Sequence, residues 1–108
     1  MGDSKHLKNF RERHLQEGEQ IVASATGLVG EIMKNKAGEF IVTDRRVVFY
    51  GKYLLGEHME SINRDKISGI SGGSMLAMRT VKVVGSGVSI EFKTGNAAGA
   101  EAIRAALS

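Results

Sequence analysis

The chain has 108 residues, enough for one domain with a real core and no room for a second. Hydrophobic residues are 42% and charged residues 25%, the balance of an ordinary globular protein, and the absence of cysteine excludes both a disulfide framework and a thiolate metal site. A net charge of +3, with Lys and Arg interleaved among Glu and Asp, permits a weak anionic partner but lacks the one-sided stripe that makes nucleic acid a partner.

Ser4 to Glu17 reads as a helix. Leu7, Phe10, His14 and Leu15 share one sector at helical spacing, and Gly18 supplies a stop. From Glu19 the period changes. Gln20 to Met33 is long, apolar and broken by Gly27 and Gly30, which predicts a bent or bulged strand. A basic loop with Lys34 and Lys36 follows.

Gly38 to Tyr50 carries the strongest signal. Phe40-Ile41-Val42 and Val47-Val48-Phe49-Tyr50 flank the polar turn Thr43-Asp44-Arg45-Arg46. This predicts a β-hairpin whose second strand is apolar on both faces. One face should fill a barrel, and a helix or a second subunit should cover the other. Tyr53-Leu54-Leu55-Gly56 is an unusually apolar connection.

Glu57 to Asn63 reads as a strand turned by Asn63-Arg64-Asp65. Lys66 to Ser71 reads as a short strand with a bulge near Gly69, and Ser71-Gly72-Gly73-Ser74 should loosen the chain before Met75-Leu76. Arg79 to Val84 and Val88 to Lys93 form a second hairpin around Gly85-Ser86-Gly87. Asn96 is placed to cap a last helix to Leu107, with Ala100, Ile103 and Leu107 as its apolar stripe. The expected fold class is therefore mainly β: a barrel at about 19–93, an extra helix at about 4–17 and a closing helix at about 96–107.

Three short motifs, in order, resemble one known family. Leu15-Gln-Glu-Gly-Glu-Gln-Ile21 is similar to the "Leu-x-x-Gly-Glu-x-Ile" lead-in of the YokE-like bacterial pleckstrin-homology (PH) domains, which are related to GRAM domains. The Gly38–Tyr50 hairpin and Asp65-Lys66-Ile67-Ser68-Gly69-Ile70 resemble the strands that follow in that family. The resemblance spans residues 15–107. It implies a PH-like barrel of about seven antiparallel strands in two near-orthogonal sheets, plugged by the C-terminal helix. It also implies a non-catalytic module, bacterial or phage-encoded, whose relatives form homo-oligomers.

The residues weigh candidate sites independently. His6, His14 and His58 lack metal-ligand spacing; His14 reads as a packed or edge histidine, and His58 has only Glu57 and Glu60 beside it. Gly69 to Ser74 resembles a phosphate loop but leads into a strand rather than a helix. No catalytic residues, metal or cofactor are expected, and an enzyme is the third-ranked reading.

The favoured reading is self-assembly or protein binding. Its interface candidates are Val48, Tyr50, Tyr53, Leu54, Leu55, Met75, Leu76 and Met78, because contiguous apolar surface marks interaction sites. The runner-up is a peripheral membrane or anionic-lipid module using Lys34, Lys36, Arg46 and Lys52. Its bland counterpart pairs Arg46 with Asp44. No run of about 18 apolar residues and no apolar leader are visible, so the expected location is the cytoplasm. Met1-Gly2 lacks the Ser or Thr at position six that myristoylation needs, since His6 stands there.

Overall fold

Strands β2 (Lys36–Thr43) and β3 (Arg46–Tyr53) pair antiparallel, with Phe40 opposite Phe49 and Ile41 opposite Val48. A strand sends successive side chains to opposite faces. Phe40, Val42, Val47 and Phe49 therefore enter the main core, while Ile41, Val48 and Tyr50 face the other way. All seven side chains are fully buried, so both faces of this hairpin are covered.

A computed structural model describes residues 4–29, 36–75, 78–85 and 87–107, with Lys36 and Met75 described in backbone only. The other strands are β1 (Ile21–Val29), β4 (Gly56–Asn63), β5 (Ile67–Met75), β6 (Met78–Gly85) and β7 (Val88–Thr94). They form one antiparallel sheet in the order β4-β3-β2-β1-β7-β6-β5, curled into a half-barrel. About seven antiparallel strands were expected, and the described residues form seven. Hydrogen bonding makes them one continuous sheet rather than two. Among the described residues, β1 meets β7 at Leu28–Lys93 and Val29–Phe92.

The sheet's concave side holds the larger core, closed by helix α2 (Ala97–Leu107) through Ala100 and Ile103. Asn96 caps α2 as expected, its Oδ1 accepting from the Gly99 N–H at 2.9 Å. Helix α1 (Lys5–Arg13) lies on the convex side, where Leu7 and Phe10 cover Ile41, Val48 and Tyr50. The Ser4 hydroxyl ties it down twice, accepting from the Leu7 N–H and donating to Glu39 Oε1 at 2.7 Å.

Two elements depart from the sequence reading. Helix α1 stops at Arg13, not Glu17: His14 leaves helical geometry at φ −127°, and the Phe10 carbonyl accepts both the His14 N–H at 2.9 Å and the Leu15 N–H at 3.0 Å, which takes Leu15 off the i→i−4 ladder. Arg46 Nη2 donates to the His14 carbonyl at 2.8 Å and so fastens the end of the helix to β3. Conversely, β5 does not loosen at Ser71–Ser74 but runs to Met75, paired residue by residue with β6. Strand pairing is made by backbone, so it tolerates glycines that weaken propensity. The expected irregularity near Gly69 is present between Ile67 and Gly69.

Candidate interaction site

The convex face is not a free surface. Val48 and Tyr50 were interface candidates, but α1 buries both, so they are removed as such. Tyr50 keeps one polar contact. Its hydroxyl donates to Glu57 Oε2 at 2.6 Å, and Glu57 Oε1 lies 2.8 Å from His14 Nε2. Burial, then the Glu57 carboxylate, pushes the Tyr50 phenol up to about 12. The Tyr50 hydroxyl in turn holds the Glu57 carboxyl below its usual range. The half-buried His14 packs on the Tyr50 ring at 5.2 Å, as an edge histidine.

Arg46 is also removed as an anion ligand. It is 7% exposed and forms a fork on Glu19, Nε to Oε2 at 2.9 Å and Nη2 to Oε1 at 3.0 Å. Its partner is thus Glu19 and not Asp44, which instead accepts from the Gln20 N–H at 3.0 Å. Burial would raise the Glu19 pKa. Bonds from Arg46, the Gln16 N–H and the Thr43 hydroxyl outweigh it and bring the carboxyl down to about 2. These groups hold α1 and the lead-in to the sheet. No buried side-chain oxygen or nitrogen lacks a partner among the described residues.

The β3–β4 turn is different. Tyr53 pairs with Gly56, leaving Leu54 and Leu55 as the turn, each 97% exposed. Their outward pose has a local cause. The Tyr53 hydroxyl donates to the Ala37 carbonyl at 2.7 Å, and the ring folds back over Gly51, where a Cβ would collide with it. Gly56 closes the turn at φ +140°, a conformation that L side chains rarely adopt. Tyr53 is therefore an anchor for the tip, while Leu54 and Leu55 are the surface. Burying two leucines is worth roughly 1.5–3 kcal/mol each, which the isolated fold forgoes.

The two sheet edges contrast. β4 carries Glu57, His58 and Glu60, with His58 Nε2 2.8 Å from Glu60 Oε2. Such charges discourage edge pairing. β5 carries none. Between β5 and α2 lie three adjoining depressions of about 420, 430 and 340 Å3. The first two share Glu101 and Arg104, and the last two share Ile70. The Arg104 side chain lies over Gly72, where an added Cβ would sit 3.4 Å from its Cδ. This groove depends on where α2 lies relative to a distant strand, and no short motif announces it.

The remaining candidates are scattered. Lys34 and Leu76 lie outside the described residues, as do the side chains of Lys36 and Met75. Met78 is half-buried at the start of β6, and the half-buried Lys52 lies at the base of the leucine tip, its N–H donating to His6 Nδ1 at 2.9 Å. Among the described residues no cluster of His, Asp and Glu could hold a metal, and no helix is long and apolar enough to cross a membrane.

The fold has a counterpart among solved structures. The C-terminal domain of an unknown protein from Leishmania infantum superposes with a TM-score of 0.64 at 22% identity, over 91% of this chain and 87% of that one. At that identity the likeness establishes a shared fold alone. No family model and no curated protein matches the chain.

Proposed function

We propose that this chain is a non-catalytic PH-like interaction module that self-associates through the β3–β4 tip. The carrying observation is the Leu54–Leu55 pair, fully exposed and held outward by Tyr53. A second support is that Glu19, Glu39, Thr43 and Arg46, the buried polar side chains around α1, are engaged in holding the fold. The magnitudes favour weak association. Four leucines in a twofold contact would return roughly 6–12 kcal/mol, against an association cost of about 4–15 kcal/mol. The dimer should therefore form only at high protein concentration.

Light scattering across a dilution series tests this. Mass should rise with concentration, and Leu54→Ser with Leu55→Ser should return the monomer without changing Tm, since both side chains are solvated. A monomer at every concentration sinks the reading. The same tip, with Lys52 at its base, favours one second reading, in which the leucines enter an anionic bilayer. Sedimentation with phosphatidylserine vesicles separates the two. Pelleting that the double variant abolishes, in a chain that stays monomeric, selects the membrane.

A further inference from the structure

The free edge of β5 stands on its own, apart from the leucine tip. An antiparallel edge strand leaves alternate N–H and C=O groups unpaired. β5 pairs only with β6, and among the described residues no backbone hydrogen bond leaves its other side. It contains no charge and no proline. The opposite edge, β4, is guarded by charges, so the exposure of β5 is specific to one side of the sheet.

The groove beside that edge has a chemistry. Its floor is apolar, with Ile70 39% exposed on the strand and Leu107 on α2. Its rim bears Arg64, Arg79 and Arg104 against the single acid Glu101. Arg79 and Arg104 are exposed and pair with no carboxylate among the described residues. A second copy of this chain would bring two arginine-rich grooves face to face. The complementary occupant is of opposite charge.

We propose that the β5–α2 groove binds an extended acidic peptide segment as an eighth strand. Its backbone pairs with the free edge of β5. Apolar side chains on the segment's groove-facing side rest on Ile70 and Leu107, and carboxylates further along that same side meet Arg79 and Arg104. Backbone pairing supplies length and direction, while the arginines select for acid.

The probe is a fluorescein-labelled peptide whose every second residue is valine in one half and aspartate in the other, with threonine between, so that both types share one face; it is titrated into the whole chain and read by anisotropy. Its counterpart carries lysine for aspartate. The acidic probe should bind, and Arg79→Glu with Arg104→Glu should weaken it roughly tenfold or more, as two ion pairs turn repulsive. Both arginines are exposed, so the variant should fold, which its melting curve checks. Amide exchange locates the site. Saturating probe should slow exchange along β5 and leave β4 unchanged. Three results overturn the proposal: no binding of the acidic probe, equal binding of the lysine peptide, or unchanged β5 exchange at saturation. Protection of β5 that grows with protein concentration alone also overturns it, because a second copy then holds the edge.

Discussion

Arg46 and Glu19, 27 residues apart, meet as a two-pronged ion pair with hydrogen bonds of 2.9 and 3.0 Å. The Arg46 guanidinium also stands 5.4 Å over the centre of the Phe10 ring and binds the His14 carbonyl. One buried cation thus joins β3, the lead-in to β1 and the end of α1. The Glu19 carboxyl, at about 2, lies well below its ordinary 4.5. A carboxyl lowered by folding stabilises the fold above its unfolded pKa and stops doing so as pH falls through the folded one. The window is therefore from about 4.5 down to 2, and the contribution has a ceiling of about 3 kcal/mol. Urea midpoints measured across that window should fall with acid. In Glu19→Gln this part of the fall should vanish and the neutral-pH midpoint should drop, because Arg46 is left buried without its counter-charge.

At the alkaline end the relevant group is Tyr50. Its folded pKa is raised to about 12 from 10, so its stabilising share is complete below 10 and is lost as pH climbs toward 12. The chain has two tyrosines and no tryptophan, which makes phenolate absorbance easy to assign. Burial raises Tyr53 as well. Neither tyrosine should ionise at its ordinary value while the chain is folded, and Tyr50→Phe should remove the later of the two steps. A Tyr50 that ionises near 10 in the native protein would contradict the bond to Glu57.

The hairpin was legible because both of its signals are local. The Phe40–Val42 and Val47–Tyr50 runs sit within one window, and their alternation assigns each residue to a face. The polar contacts were not legible, because Arg46 reads as a turn cation until Glu19 is brought back beside it. Asp44 is nearer in sequence and was the natural guess. The early end of α1 was not legible either, because no local signal marks His14, where the Phe10 carbonyl takes the Leu15 N–H and Arg46 of β3 binds the His14 carbonyl. β5 was underestimated because Gly72 and Gly73 have poor strand propensity, while pairing with β6 asks only for backbone. The exposed leucines could be read from the sequence as an apolar turn. That Tyr53 belongs to the anchor and not to the surface could not.

Phe10 is the keystone of the convex cluster. It is fully buried against Tyr50, with ring centres 5.9 Å apart. Phe10→Ala should cost about 3–5 kcal/mol, a large share of the roughly 5–15 kcal/mol that holds a domain together. Chemical denaturation measures it directly. The loss should uncover Val48 and Tyr50, so the variant should also bind an apolar fluorescent dye under native conditions. A cost below about 1 kcal/mol would mean that α1 is not what covers this face.

Gly27 tests the joint between the two halves of the sheet. A Cβ there would collide with the Lys93 carbonyl and come within 2.6 Å of the Phe92 ring. Backbone cannot move aside as a flexible side chain can. Phe92 is itself fixed in the core, stacked on Phe40 at 4.8 Å. Gly27→Val must therefore push β1 away from β7, next to the Leu28–Lys93 and Val29–Phe92 pairs that join them. The cost should reach the upper end of overpacking penalties, about 3 kcal/mol or more. Amide exchange distinguishes this from general loosening. Exchange should quicken first at Leu28, Val29 and Phe92, while the β2–β3 hairpin stays protected until global unfolding.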